Sequence, residues 1–262
     1  MEEGDLAYSA AVATFPLGGW GETLSRSAPQ PIWLIDPDYL PLERYPQAAE
    51  AYLQAGGKWA LVGGSLAYQT DLARWCEKAR PLTPLPLILF PGSPLHLNPA
   101  VDAILFLFLA SGRNPYYLIG AHVEAAPLLY RWRKEVLPTT YLLVGTLEHL
   151  RTVHYLTHTL PIPPDKPEIL QATALAGLYL GQRFLYVDAG SGAKTSCPPE
   201  TIQALRAVTS APLFVGGGIR TAHTAAELIA AGATFPVIGT AAEKAICTRS
   251  FWEEIFALCP ST

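Results

Sequence analysis

Three short apolar segments in the second half of the chain each run directly into a glycine-rich turn. They read FLYVDAGSG from residue 184, LFVGGG from residue 213 and FPVIGT from residue 235. Glycine accepts positive φ and lets the backbone approach a ligand closely. Successive backbone N–H groups in such turns bind anions, and the N-terminus of a following helix adds its dipole. One such turn could be only a tight strand-to-helix connection, but three together predict a phosphate at one end of a parallel sheet.

Apolar segments of strand length recur along the whole chain, and helical patterns separate nearly all of them. The eight predicted strands are 31–35, 59–62, 85–90, 103–107, 139–144, 184–187, 213–215 and 235–238. Alternation of strands and helices implies a parallel sheet. Eight strands in 262 residues favour a closed (β/α)8 barrel over a doubly wound sheet. We therefore predict one barrel domain over 31–262, with residues 1–30 as an N-terminal cap or extension.

The link between the third and fourth predicted strands is unusual. It comprises only 12 residues, 91–102, and three of them are proline. Parallel strands normally need a crossover of this length or longer, usually an α-helix, and proline disrupts a helix interior. We therefore predict that an extended segment replaces the third helix of the barrel.

Two later segments are less regular. Residues 116–134 read as one helix with Pro127 as a possible kink, and residues 145–166 form a long excursion before the next helix. His149, His154 and His158 in that excursion have loosely metal-like spacing. Because no cysteine or carboxylate pattern completes a zinc site, we expect them to lie on a helix or loop surface.

Composition argues against several classes of protein. The formal net charge is −4 and no basic stripe stands out, which argues against a nucleic-acid partner. The most apolar stretch, 103–110, is far too short to span a bilayer, so no transmembrane segment is expected. The N-terminus lacks the basic region of a secretory signal, and the four cysteines form no CxxC pair. These features indicate a cytoplasmic protein with reduced thiols.

Six motifs, in this order, resemble those of the geranylgeranylglyceryl phosphate synthases and the related heptaprenylglyceryl phosphate synthases. They are LIDPD, LVGGS, LILFPGS, NPYYLIGAHVEAA, YVDAGSGA and VGGGIR, and the resemblance runs from about residue 32 to residue 243. It implies a prenyltransferase that joins a long-chain prenyl diphosphate, geranylgeranyl or similar, to the 3-hydroxyl of sn-glycerol 1-phosphate and releases diphosphate. It also implies dependence on Mg²⁺, a homo-oligomer, and a barrel without its third helix.

The resemblance assigns a metal site to two of these motifs. In the family the first Asp of LIDPD is a magnesium ligand and a Ser or Thr after the paired glycines is the second, so these roles fall on Asp36 and Ser65. Mg²⁺ prefers hard oxygen ligands of this kind. From the residues alone, Asp36 could equally cap a helix or stabilise a turn beside Pro37, and Ser65 could be an N-cap. Tyr39 departs from the family pattern, where a Lys completes the first motif.

The resemblance also assigns the glycerol phosphate site. Its members here are Tyr186, Val187, Asp188, Ala189, Gly190, Ser191, Gly192, Gly217, Gly218, Gly239 and Thr240. We take Asp188 as the catalytic residue, because a carboxylate can bind the glycerol hydroxyls and accept the proton of the attacking 3-hydroxyl. The family has Glu at this position, so Asp188 withdraws the carboxylate by one methylene. Candidate walls for the prenyl tail are Phe106, Phe108, Tyr116 and Tyr117.

Two other functions remain open from the sequence. A phosphate-handling barrel isomerase or lyase would place a second carboxylate or a Lys at a strand end and would not need Mg²⁺; the DPD and GGS motifs argue against it. A barrel that binds a phosphorylated ligand without turnover is the second alternative, because Asp188 and Tyr39 depart from the family pattern.

Overall fold

The computed structural model describes residues 19–64, 69–245 and 248–259. Its eight strands are all parallel and form one closed barrel in the order of the sequence. They are β1 (Ile32–Ile35), β2 (Ala60–Val62), β3 (Leu87–Leu89), β4 (Ala103–Leu109), β5 (Glu135–Leu143), β6 (Phe184–Asp188), β7 (Leu213–Gly216) and β8 (Phe235–Ile238). The predicted (β/α)8 barrel is therefore confirmed, and the three glycine turns follow β6, β7 and β8.

Helices surround the barrel. In chain order they are α1 (Trp20–Arg26), α2 (Tyr45–Gln54), α3 (Leu72–Ala79), α4 (Ala121–Trp132), α5 (Thr152–Thr157), α6 (Pro167–Tyr179), α7 (Pro199–Arg206), α8 (Ala222–Ala230), α9 (Thr240–Lys244) and α10 (Arg249–Leu258). Within the described ranges, none of them has the length and apolar character needed to cross a membrane.

The described chain has no α-helix between β3 and β4, as the length and prolines of this link predict. The link contains only a single 3-10 turn, Pro94–His96. Its end is anchored by Asp102, whose carboxylate accepts the N–H of Leu87 at 2.9 Å and pairs with Arg80 at 2.7 Å. Without a covering helix, part of the outer face of β4 is left open, and this shapes the site described below.

Side chains alternate along the strands between the barrel interior and the layer beneath the helices. The interior combines aliphatic side chains with a group of packed aromatic rings. Tyr186 stacks on Phe214 with 5.8 Å between ring centroids and on Phe90 with 4.9 Å, and Trp59 packs edge-on against Phe235. The barrel interior is therefore a packed core, and it supports the residues at the carboxyl ends of the strands.

Helix α1 covers the amino-terminal end of the barrel. The carboxylate of Glu135, at the start of β5, accepts the N–H groups of Trp20 at 2.9 Å and Gly21 at 2.7 Å. A negative charge is favourable at a helix N-terminus, where backbone donors are otherwise unpaired. Leu24 is fully buried in the interior cluster. The segment assigned to a cap thus contributes a helix that faces away from the carboxyl ends of the strands.

The predicted boundary between the fourth helix and the fifth strand is wrong. The helix begins with a π-helical turn, Tyr116–Gly120, continues through Pro127 as α4 and ends at Trp132, while β5 begins at Glu135 rather than at residue 139. Arg133 ends the helix because it adopts a left-handed conformation with φ of 50°. Proline usually argues against a strand interior. Here Pro138 lies inside β5, and its carbonyl accepts the N–H of Arg183 at 2.9 Å.

The excursion after β5 is more structured than predicted. It holds a 3-10 turn, Leu147–His149, and the short helix α5. An isolated bridge pairs Val144 with Ile162, so both ends of the excursion return to the barrel wall. Helix α5 is thereby held beside the carboxyl end of β6.

Candidate active site

A cavity of about 660 Å³ opens at the carboxyl ends of the strands. This is the end at which (β/α)8 barrels place their active sites. The turns that follow β1, β2, β6, β7 and β8 all contribute residues, and the cavity continues over part of β4. Of the eleven residues predicted to bind glycerol phosphate, eight line it: Tyr186, Asp188, Ser191, Gly192, Gly217, Gly218, Gly239 and Thr240.

The turns after β6 and β7 pack into one continuous backbone surface. Gly217 has φ of 84°, and a Cβ atom there would lie 2.9 Å from both an Asp188 oxygen and the backbone nitrogen of Gly190. At Gly218 a Cβ would collide with the backbone of Thr195. The guanidinium of Arg220 donates to the carbonyl of Ala193 at 2.7 Å and so ties the two turns together. Glycine is required here, and the exposed amides form a concavity suited to an anion.

The carboxylate of Asp188 lies at the base of this surface. One oxygen accepts the N–H of Gly190 at 2.7 Å, and the other accepts the O–H of Tyr141 in a short hydrogen bond. Asp188 is only 7% exposed, and burial raises its pKa while both hydrogen bonds lower it. Each oxygen keeps a further lone pair. Asp188 can therefore accept a hydrogen bond or a proton from a ligand hydroxyl in the cavity.

Some of the remaining residues of the predicted segment line the cavity, and the others hold the backbone beside it. Burial, and then the charge of Asp188, hold the pKa of Tyr186 well above its usual range, so its phenol stays protonated. The side chain of Val187 lies in the layer beneath the helices. Ala189 donates its N–H to the carbonyl of Gly216 at 3.0 Å. Among the described residues, Val187, Ala189 and Gly190 do not line the cavity; they fix the backbone of those that do.

A second carboxylate, which the sequence interpretation missed, accompanies Asp36. Both Asp36 and Glu243, on α9, line the cavity. Burial, and then the nearby charge of Asp36, raise the pKa of Glu243 to about 7. The carboxylate of Asp36 accepts the N–H of Asp38 at 3.0 Å, and a Cβ on Gly64 would lie 3.0 Å from both of its oxygens. Ser65 lies outside the described residues.

The donor set around Asp36 suits Mg²⁺. Carboxylates supply hard oxygens, and Mg²⁺ commonly binds one or two of them together with substrate phosphates and water. Within the described part of the chain, no three or more His, Cys, Asp and Glu residues are grouped as a metal site. Asp38 has a different role, because its carboxylate accepts the N–H of Thr70 at 2.8 Å and joins two loops.

The cavity continues as an apolar groove over the part of β4 that the missing helix leaves open. Its walls come from β4, the proline-rich link, the π-helical turn and α4, and they include Leu97, Ile104, Phe106, Tyr117, His122 and Ala125. The ring of His122 meets Phe106 edge-on, with 4.4 Å between centroids. Phe106 and Tyr117 are thus in the predicted place. Tyr116 is partly exposed and donates to Glu124 at 2.9 Å, and neither it nor Phe108 lines the cavity.

The fold and the site together define a (β/α)8 barrel whose cavity joins glycine turns suited to an anion to an apolar groove. The family model described as the PcrB family matches residues 27–255. The geranylgeranylglyceryl phosphate synthase of Methanopyrus kandleri is 41% identical over 223 residues, which is 84% of this chain and 91% of that protein. The one from Spirosoma linguale is 41% identical over 211 residues, 80% and 84% of the two chains. This chain therefore belongs to the PcrB family, which confirms the resemblance seen in its motifs.

A solved structure supports the same assignment. It is the crystal structure of (S)-3-O-geranylgeranylglyceryl phosphate synthase from Thermoplasma acidophilum in complex with its substrate sn-glycerol-1-phosphate. The TM-score is 0.81 at 32% sequence identity, and the match covers 90% of this chain and 95% of the other.

Proposed function

We propose that this protein is a Mg²⁺-dependent prenyltransferase that joins a long-chain prenyl diphosphate to the 3-hydroxyl of sn-glycerol 1-phosphate and releases diphosphate. One observation supports the proposal: a single cavity combines glycine turns suited to an anion, a buried carboxylate and an apolar groove. An isomerase or lyase acting on a small phosphorylated substrate has no use for the groove.

The glycine turns and Asp188 suit the acceptor. The amides of Gly192, Gly217 and Gly218 would bind the phosphate, and Asp188 would bind the glycerol hydroxyls and accept the proton of the 3-hydroxyl. Because Tyr141 and Gly190 orient the two oxygens of Asp188, the carboxylate is positioned before the substrate arrives. Such positioning is a major source of rate in a bimolecular transfer.

The other part of the cavity suits the donor. The groove over β4 would take the prenyl chain, which buries apolar surface on both sides. Asp36, with Ser65 and Glu243, would hold Mg²⁺, and the bound ion supplies neutralisation of charge on the departing diphosphate. Phe90, Tyr141 and Tyr186 place aromatic rings in the cavity, and such rings stabilise the positive charge that develops on an allylic carbon.

The function is tested by incubating the protein with sn-glycerol 1-phosphate, Mg²⁺ and prenyl diphosphates of increasing length, and identifying products by mass spectrometry. We expect a prenyl ether of glycerol phosphate and a clear optimum of chain length. Binding of glycerol phosphate without any product would contradict the proposal and favour a binding protein.

We expect a phosphate or sulfate ion to bind the backbone of Gly192, Gly217, Gly218, Gly239 and Thr240 in crystals grown with that anion. Gly217→Ala should weaken the affinity for glycerol phosphate at least about tenfold, because the new Cβ meets Asp188 and Gly190 in an unfavourable φ region. Titration calorimetry measures the affinity. Gly181→Ala is the matched control, since Gly181 has φ of 95° but no atom within 4 Å of the added Cβ. An empty turn surface, or equal losses in both variants, would contradict the assignment.

We also propose that the protein is a homo-oligomer. The helical segment that ends in α4 exposes apolar side chains at heptad-like spacing, among them Ile119 at 61%, Val123 at 62% and Tyr130 at 49%. Exposed apolar stripes of this kind mark protein interfaces. Val123→Glu should shift the mass measured by light scattering toward the monomer, whereas Tyr179→Glu, an exposed position on α6, should not. A wild-type protein that is monomeric at micromolar concentration would contradict this.

We infer a cytoplasmic location from the thiols. The three described cysteines, Cys76, Cys197 and Cys259, are free and buried. Burial raises the pKa of Cys76 and of Cys197 to about 12. Burial explains why these thiols are unreactive, and free thiols in place of disulfides are typical of a reducing compartment.

A further inference from the structure

His154 lies in the interior, contrary to the surface position expected from the sequence. It belongs to α5 and is only 6% exposed. Its Nδ1 atom accepts the N–H of Arg151 at 2.8 Å, as part of the cap of this helix. A nitrogen that accepts a hydrogen bond carries no proton, so the neutral ring must carry its proton on Nε2. The fold thus fixes one tautomer of His154 and makes Nε2 a donor.

The Nε2 donor has no partner among the described residues, although it is fully buried. A buried donor without an acceptor is costly, and native structures usually supply a partner. Val153 and Leu156, on the same helix, line the cavity. The side chain of Arg151 packs against Gly190, where an added Cβ would lie 2.7 Å from it. His154 itself does not line the cavity. Its unpaired donor is buried in the wall beside the Gly190 turn, where a buried water can accept from it.

The charge of Asp188 reaches His154. Burial lowers the pKa of His154, and the nearby carboxylate of Asp188 partly opposes this effect. Burial raises the pKa of Asp188, and His154 is among the groups that oppose that change, so the two side chains lie within electrostatic reach of each other. The other titratable groups that face Asp188 are Tyr141 on β5, Tyr186 on β6 and Cys197 in the loop before α7, and Arg151 faces His154. Because the neutral ring of His154 carries no net charge, the group through which it can act on Asp188 is its unused, buried Nε2–H.

We propose that His154 is a positioning residue for the part of the cavity that binds the acceptor: its Nε2–H donates to a buried water that bridges to Asp188, and this keeps the Asp188 carboxylate ionised and oriented. The inference rests on the proposed function, because it assigns Asp188 a part in prenyl transfer. It extends that function to a residue outside the cavity-lining set and to the pH dependence of the reaction.

The first test is the pH profile of kcat/KM for glycerol phosphate. Removing the donor raises the pKa of Asp188, and the reaction needs the carboxylate, so the acidic limb should move to higher pH in His154→Leu. One lost hydrogen bond corresponds to a shift of about 0.7 pH unit. His154→Gln, whose amide can accept from Arg151 and still donate, should restore most of the shift. His158→Asn, an exposed position at the end of the same helix, is the matched control and should leave the profile unchanged.

The second test separates positioning from mere support of the fold. In the Asp188→Asn background there is no carboxylate to ionise, so His154→Leu should no longer move the acidic limb. A His154→Leu protein with wild-type folding and an unmoved limb overturns the proposal. So does an equal shift in the presence and absence of Asp188.

The third test does not need a folded His154 variant or any turnover. ¹⁵N NMR of the wild-type protein with labelled histidine should show the Nε2–H tautomer of His154, and its resonance should respond to Asp188→Asn and to added sn-glycerol 1-phosphate. An Nδ1–H tautomer, or a resonance indifferent to both changes, overturns the proposal. Failure of the prenyltransferase assay alone would count against the proposed function and would leave this coupling measurable.

Discussion

Asp36→Asn is expected to abolish turnover supported by Mg²⁺ while the barrel remains folded. The amide has the size of the carboxylate, and its oxygen can still accept the N–H of Asp38, so the local turn should persist. The substitution removes the negative charge of the carboxylate, and Mg²⁺ binds charged carboxylate oxygens in preference to a neutral amide oxygen. Substitutions beyond the ligands of a metal site already cost about 10- to 100-fold, so loss of a ligand should cost at least about 100-fold.

The measurement is the rate against Mg²⁺ concentration, with Tm and circular dichroism as checks of folding. Asp71→Asn is the matched control, because Asp71 caps α3 through the N–H of Arg74 and asparagine caps equally well. A metal-independent readout is also available: in metal-free protein, removing the charge of Asp36 should lower the pKa of Glu243 from about 7. Full activity of the Asn variant, or of wild-type protein in chelator, would remove Asp36 from the metal site.

Much of the barrel follows from local features of the sequence. Strands buried on both faces read as continuous apolar runs, and the missing helix shows in the length and prolines of residues 91–102. The start of β5 cannot be predicted from the sequence. A strand tolerates Pro138 only if no neighbouring strand needs its missing N–H as a hydrogen-bond donor, and this depends on the arrangement of the sheet. The left-handed conformation of Arg133 could not be predicted from the sequence either, because arginine rarely adopts it.

Only part of the candidate site could be predicted from the sequence, because some of its residues come from elements that only the folded chain brings together. Asp36, Asp188 and the glycine turns end strands, and strand ends are where a barrel gathers its site. Tyr141, His154 and Glu243 come from other elements, and only the closed sheet and the folded excursion bring them there. Tyr141 pairs with Tyr186 across β5 and β6 and so shares its inward face, but this register is known only from the structure.

The structure shows how Asp188 is held at the position where the resemblance leads us to expect Glu. The shorter side chain is held against the wall by Tyr141 and by the N–H of Gly190. The Asp188 carboxylate therefore has a fixed orientation, but it extends less far into the cavity than a glutamate carboxylate would. Asp188→Glu should keep activity and is expected to raise it, if the added methylene brings the carboxylate nearer to the acceptor hydroxyl than these two contacts allow.

Asp188→Asn is expected to lower the maximal rate by about 10²- to 10⁴-fold, the contribution of one positioned base. The side-chain oxygen of asparagine can still accept from Gly190, so the turn and the phosphate site should remain intact. Steady-state kinetics with saturating prenyl diphosphate distinguish two roles. Loss of kcat at similar KM identifies a base, whereas loss of affinity alone identifies a residue that only positions glycerol. Asp165→Asn, at an exposed carboxylate in the loop before α6, is the control. An Asp188→Asn protein with wild-type rate and affinity would remove this carboxylate from the mechanism.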